Sequence, residues 1–217
     1  LWDHPATLVA IAPKPDLVSV EDPLIQTTLR YTARGSDAFN DMQLEPISFL
    51  QRFDEDSQLF GLAPVIEKTA GHGRLIFESA GASAQPVIES DLLNHEWDQE
   101  RMLEGLEIAL RFAESPELRA VSERVLRPRP EVIADRDALR AWARRASGSG
   151  YHPCGTAPMG AAEDELAVVD QHGRVFGVEG LYVADASLMP TIPRANINIP
   201  TIMIGERFGE WFREDAI

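Results

Sequence analysis

The chain has 217 residues, 44% of them hydrophobic and 25% charged, which is enough apolar material to fill one large domain or one and a half smaller ones. Its 35 Asp and Glu against 20 Lys and Arg give a formal charge of −15, which repels nucleic acid and anionic membrane and argues against both as partners. The single cysteine, Cys154, excludes an intrachain disulfide scaffold, and no apolar run approaches the roughly 20 residues that span a bilayer.

Leu1-Trp2-Asp3-His4-Pro5 carries no basic region, no hydrophobic signal segment and no starting methionine, so the expectation is a cytoplasmic chain beginning inside something larger. The first ninety or so residues read as β-rich. Short apolar stretches recur at Thr7–Ala12, Thr27–Thr32, Ile47–Leu50, Leu59–Ile66, Leu75–Phe77 and Val87–Ile88. Pro13-Lys14-Pro15, Arg34-Gly35-Ser36-Asp37 and Gly71-His72-Gly73 separate them as turns separate antiparallel strands. The middle is helical. From Trp97 to Phe112, Leu103, Leu106, Leu110 and Ala113 fall on one stripe. Pro116 can open a second helix, and Asp135 can cap a third that presents Leu139 and Trp142 on one face. Ser147-Gly148-Ser149-Gly150 reads as a flexible joint. Beyond it, Gln171-His172-Gly173 reads as a hairpin-like turn, and Leu181–Ala184 as a short, fully buried strand. A final helix is expected from about Thr201 to Arg213.

Three places can carry chemistry. Tyr151-His152-Pro153-Cys154-Gly155-Thr156 puts an imidazole, the side chain best matched to proton transfer near neutral pH, on a loop between helix and strand. A lone loop histidine is more often structural, and no second His, Cys or carboxylate stands at metal-ligand spacing. Asp185, after the expected strand, fits either a hold on a sugar hydroxyl or a simple turn cap, and spacing alone favours the cap. Pro190 to Thr201 is a proline-stiffened loop feeding the last helix. There Asn198 is a candidate N-cap and Pro200 fits the first turn. The start of that helix offers free N–H groups and a positive dipole end to an anionic group.

Taken in order, these stretches resemble the glucose-methanol-choline (GMC) oxidoreductases. The matching elements are His152, Gly155, Thr156, Met159 and Gly160, then Val169-Asp170, then Gly177-Val178-Glu179-Gly180-Leu181. Asp185-Ala186-Ser187-Leu188-Met189-Pro190 and Asn196-Ile197-Asn198-Ile199-Pro200-Thr201-Ile202-Met203 follow. Upstream, Asp3-His4-Pro5 and Gly71-His72-Gly73-Arg74-Leu75 look like two further elements of the family. The Gly-x-Gly-x-x-Gly loop that opens a full member does not occur here.

The resemblance implies FAD as cofactor and oxidation of a small-molecule alcohol at its CH–OH group by hydride transfer to flavin N5. It makes His152 the base and Asn198 the group that positions the substrate oxygen. Asp185, Ala186, Asn196, Pro200 and Thr201 become cofactor contacts, with the helix start near the flavin's N1 and O2. The implied fold is α+β: an antiparallel sheet backed by helices, plus the C-terminal strand-loop-helix part of an FAD-binding α/β domain. Residues 1–5 would end a first FAD-domain block, 6–150 form the substrate-binding domain, and 151–217 carry the catalytic loop and the last FAD-domain segment. A Rossmann-type FAD-binding N-terminal half, in the same gene product or a separate chain, is the implied partner. It would cover an apolar face of this part. Two alternatives stand beside this: a flavin-containing lyase of the same family, and a non-catalytic fragment pairing with a separate FAD-binding chain. Phe39, Met42, Phe49 and Phe60 are pocket-lining candidates, though core positions are the simpler reading.

Overall fold

The structure is a computed structural model that describes residues 1–17, 19, 21–50, 59–81 and 83–214. In chain order its strands are β1 (Pro5–Ala6), β2 (Val9–Pro13), β3 (Leu29–Tyr31), β4 (Met42–Leu50), β5 (Leu59–Ile66), β6 (Arg74–Ile76), β7 (Val87–Glu89), β8 (Ser122–Arg127) and β9 (Gly148–Ser149). The helices are α1 (Glu96–Ala113), α2 (Pro116–Val121), α3 (Pro130–Ile133), α4 (Arg136–Ala146) and α5 (Asn198–Arg213). They fall into two compact units. Pro5–Ala70 with Leu92–Gly150 makes a sheet unit, and Leu1–His4, Gly71–Asp91 and Tyr151–Ile217 make a loop-rich unit.

In the sheet unit, seven antiparallel strands among the described residues pair in the order β3-β4-β5-β1-β9, with β2 also on β5 and β8 on β2. The expected antiparallel sheet backed by helices is the architecture found. Strand β5 reads Leu-Phe-Gly-Leu-Ala-Pro-Val-Ile and is buried along nearly its whole length, because it pairs on both edges and is covered by α1. The α1 stripe expected from the periodicity forms: Leu103, Leu106 and Ala113 are buried, joined by Met102 and Ala109. They pack on Val9, Ile11, Met42, Leu44 and Ile66 in one continuous core. Ser115 caps α2 ahead of Pro116, and Asp135 caps α4 by accepting from the N–H groups of Asp137 and Ala138.

In the sheet unit two expectations change and one strand goes unforeseen. Ser147 to Gly150 is a paired edge rather than a flexible joint, since Gly148 and Ser149 oppose Ala6 and Pro5. The small residues hid a register that the partner strand supplies. Strand β8 was not legible because Ser122, Glu123 and Arg124 read as polar surface, yet this edge strand lies along β2. Of the pocket candidates, Met42 is fully buried core, Phe60 packs against that core, Phe49 is half-buried, and Phe39 is 71% exposed.

One polar cluster lies wholly inside the sheet unit. Arg101 donates from Nη1 to Asp41 Oδ2 at 2.8 Å and from Nη2 to Asp98 Oδ1, and all three side chains are buried. Asp41 also accepts from Ala33 N–H at 2.9 Å and Ser36 Oγ at 2.7 Å. Burial works to raise the Asp41 pKa, but the hydrogen bonds from Ser36, Ala33 and Arg101 together hold it below the usual carboxylate value. Nearby in sequence to β5, Glu67 is fully buried, and desolvation pushes its pKa to about 7 against the pull of Arg30.

The loop-rich unit has little regular structure. β6 pairs with β7, α5 runs for 16 residues, and much of the rest is held by isolated bridges. The turn at Gln171-His172-Gly173 forms: Asp170 Oδ1 accepts from His172 N–H and Arg174 N–H, and Gly173 N–H closes on Asp170 O at 2.9 Å. Leu181–Ala184, by contrast, is not a buried strand. Its backbone bonds run to Gly173 and Val175 on one side, Tyr182 bridges Arg174, and Leu181 stays exposed. An apolar run reads as buried in sequence even when only one edge finds a partner.

Candidate active site

The stretch after Tyr151 is laid down by backbone pairing. Gly155, Ala157 and Met159 donate their N–H groups to the carbonyls of Ala186, Ser187 and Leu188 at 3.1, 2.9 and 2.8 Å. The His152–Gly160 stretch and the Asp185–Pro190 stretch are therefore joined in one ladder. On the other side, Trp2 and Cys154 exchange both backbone hydrogen bonds at 2.9 and 3.0 Å. That bridge carries Asp3 and His4 alongside His152. Gly155 is required at the crossing: its φ is +69°, and a Cβ there would stand 2.4 Å from Trp2 Cδ1 and 2.9 Å from Met189 O. Tyr151 also adopts a positive φ, 64°, immediately before His152. A non-glycine residue held there marks a backbone over-determined by its surroundings.

His152 is half-buried, and each ring nitrogen has a partner. Its Nδ1 lies 2.9 Å from His4 Nδ1, and its Nε2 lies 3.1 Å from Asn196 Nδ2. The two rings meet edge to face. His4 is fully buried, and its Nε2 lies 3.0 Å from the Pro193 carbonyl. Asp3 Oδ1 accepts from the backbone N–H of both histidines, at 2.8 Å for His4 and 3.1 Å for His152. Burial pulls the His152 pKa below its usual value of 6.5, opposed by the Asp3 carboxylate. Burial thus favours the neutral imidazole over the imidazolium.

The remaining residues separate by position. Asp185 Oδ1 accepts from Ser187 N–H at 2.8 Å and Ser187 Oγ at 2.5 Å, which is the turn-cap reading realised, on an exposed side chain. Asn198 is not the cap of the last helix. Ile197 holds that position, because Thr201 N–H bonds Ile197 O at 2.9 Å and closes the first turn one residue earlier. Asn198 is the first helical residue, Pro200 and Thr201 complete the turn, and no side chain caps the start of α5. The amide that meets His152 is that of Asn196, which the resemblance assigned to the cofactor. Among the described residues no group of three or more His, Cys, Asp or Glu side chains is arranged for a metal ion. None of their helices is long and apolar enough to cross a membrane.

Residues 70–205 match the family model described as GMC oxidoreductase. The chain belongs to the GMC oxidoreductase family. Its relatives include an oxygen-dependent choline dehydrogenase of Chromohalobacter salexigens, 36% identical over 67% of this chain and 26% of the relative. A 5-(hydroxymethyl)furfural oxidase of Methylovorus is 34% identical over 82% of this chain and 34% of its own. The chain therefore spans about a quarter to a third of the curated relatives it matches. In fold it is similar to pyridoxine 4-oxidase from Mesorbium loti (TM-score 0.83, 21% identity, 98% of this chain and 42% of that one). It is equally similar to formate oxidase from Aspergillus oryzae, an enzyme studied for its FAD modification (TM-score 0.84, 16% identity, 98% and 46%).

For a GMC oxidoreductase, the residues that sequence reasoning passed over are Asp3, His4 and the Pro193 carbonyl. Asp3-His4-Pro5 was visible as a family element, but 148 positions separate His4 from His152, and nothing in a linear pattern joins them.

Proposed function

We propose that this chain is the substrate-side part of an FAD-dependent GMC oxidoreductase that oxidises the CH–OH group of a small-molecule alcohol, with His152 as the base. The observation that carries the reading is the geometry around His152. Its Nε2 lies 3.1 Å from the Asn196 amide nitrogen, a group that can only donate, so Nε2 is the accepting nitrogen. A substrate hydroxyl would take the amide's place, while burial favours the neutral ring. FAD, when bound, supplies the hydride acceptor.

The residues present suit that cofactor. The start of α5 has no side-chain cap, so its first N–H groups and its positive dipole end are available to an electron-rich ring edge. Pro200 and Thr201 form that turn, while the Ala186 backbone lies on the ladder next to His152 and Asp185 caps the short turn that carries it. Asn196, on the loop before α5, and Asn198, its first residue, are both exposed, and an amide at either place can hydrogen-bond the substrate oxygen without exchanging its proton. His152 Nε2 accepts the hydroxyl proton as the C–H bond breaks. α5 presents Ile199, Ile202 and Met203 to solvent, at 70%, 52% and 61% exposure. An apolar stripe of this kind fits a surface covered by a Rossmann-type FAD-binding half. The sheet unit, which holds residues 6–70 and 92–150 of the expected 6–150, would then supply the substrate-binding domain.

The test is anaerobic stopped-flow reduction of the FAD-loaded holoenzyme by alcohol, across pH. Because burial lowers the His152 pKa, the rate is expected to hold through neutrality and fall only as pH drops below about 6.5. His152→Ala lowers the rate by about 10²–10⁴-fold and removes the low-pH fall. A rate within about threefold of wild type with an unchanged profile would show that His152 is not the base. Failure of any alcohol to bleach the flavin in the intact enzyme would favour the lyase reading.

A further inference from the structure

Histidine tautomers are set by what each nitrogen faces. The Pro193 carbonyl can only accept, so the His4 nitrogen 3.0 Å away, Nε2, carries a proton. Neutral His4 then has a lone pair on Nδ1. The His152 Nδ1 that stands 2.9 Å from it must donate, which leaves the His152 lone pair on Nε2. A doubly protonated His4 would also satisfy Pro193, but it would leave His152 Nδ1 as acceptor and a proton on Nε2; the Asn196 amide N–H at 3.1 Å from Nε2 excludes that arrangement. Starting from a backbone oxygen, the chain of donors runs one way through both rings.

We propose that His4 is a positioning residue that locks His152 in its Nδ1–H tautomer, with the Pro193 carbonyl as the fixed point that sets the direction. The proposal rests on His152 being the base. When Nε2 gains a proton, the Nδ1–H bond to His4 is kept, so the imidazolium forms without rearrangement on the His4 side, and only the Asn196 amide gives up its bond to Nε2. A second proton on the pair is disfavoured, because two N–H groups would then face each other across 2.9 Å. His4 thus takes the place that a carboxylate holds in a serine-protease triad, where the third residue fixes the tautomer and orientation of the histidine. The difference is that this orienter is neutral, so it does not raise the basicity of His152 by charge. Asp3 holds both backbones with one carboxylate oxygen and keeps the two rings in register.

The direct test is nitrogen NMR of the FAD-loaded holoenzyme carrying [15N]histidine, above the His152 pKa. The expected result is a protonated Nδ1 and a bare Nε2 on His152, the reverse on His4, and a coupling between the two Nδ1 nuclei across the hydrogen bond. A protonated Nε2 on His152 overturns the proposal. Two variants extend it. His4→Gln can still accept from His152 Nδ1 and donate to Pro193 O, and should keep flavin reduction within about threefold. His4→Leu removes the acceptor and should slow reduction by about 10–10²-fold, part of what the base contributes. FAD content and KM should change little, and the pH profile should shift. Equal rates for His4→Leu and wild type, beside a strongly impaired His152→Ala, would sink the role of His4 alone. An unimpaired His152→Ala would instead sink the base assignment, while the NMR still reports the tautomer. If His4→Leu does not fold, the spectrum of the unsubstituted enzyme decides.

Discussion

The two units of this chain are built on different principles. In the sheet unit, one connected core joins β2, β4 and β5 to α1, and the buried charges are answered internally by Asp41, Arg101 and Asp98. In the loop-rich unit the buried apolar residues fall into two small clusters, one around Cys154, Met189 and Ile192 and one around Val169, Leu188 and Phe208. Order there comes from backbone bonds between distant loops and from glycines at close approaches. The part that carries the candidate base is thus the part with the least core of its own. Loops held at many points can place ring nitrogens accurately without relying on a deep interior, which is how binding and catalytic groups are commonly presented.

That contrast can be broken first in the sheet unit. Arg101→Met leaves Asp41 and Asp98 buried without their shared cation, and breaking such a pair typically costs about 3–5 kcal/mol. Urea unfolding should show that loss, and a change under about 1 kcal/mol would mean the cluster is not what organises this unit. In the loop-rich unit the corresponding weak point is a glycine. Gly155→Ala must take a positive φ and push a Cβ into Trp2, for a combined cost of about 2–4 kcal/mol. Because Trp2 carries the Asp3-His4 segment, flavin reduction should fall further than stability alone explains. Retained activity with a displaced Trp2 fluorescence would separate the ladder from the chemistry.

The smallest effect sharpens the comparison through pH. The folded pKa of Glu67 is raised to about 7 by burial, above the ordinary 4.5. Folding therefore favours the protonated form. That stabilisation is fully present below about 4.5 and is lost as pH rises through about 7. Glu67→Gln keeps the neutral shape, so at pH 8 it should be more stable than wild type by up to about 3 kcal/mol, at about 1.4 kcal/mol per pKa unit. At pH 4 the two should unfold together. Equal stability at both values would place the ionised carboxylate in a better-solvated setting than its burial implies.

Periodicity and turn chemistry made α1, α2, α4 and most strands of the sheet unit readable, because each is a local pattern that its own residues satisfy: the Leu103–Leu106 stripe, Ser115 before Pro116, Asp135 ahead of α4. The same reading found His152 and the Asn-rich loop from motif order. It failed where a segment's state depends on a distant partner. Gly148-Ser149 became a strand because Pro5-Ala6 lies beside it, and Leu181–Ala184 is only half-buried, with Tyr182 and Val183 against a small cluster and Leu181 exposed. The amide on His152 followed the same rule: the first turn of α5 begins at Ile197, which makes Asn198 helical, and Asn196 reaches the ring.

What the sequence determined by itself is the family, the sheet-and-helix architecture and the identity of the candidate base, since these rest on local propensity and ordered motifs. What only the tertiary structure supplied is the set of partners around that candidate base. A tautomer is fixed by which atoms face each nitrogen, and here those atoms belong to residues 4, 193 and 196, brought to residue 152 by backbone pairing between segments far apart in the chain. Hydrogen-bond direction has no signature in a linear pattern, because it exists only once donor and acceptor are held within reach.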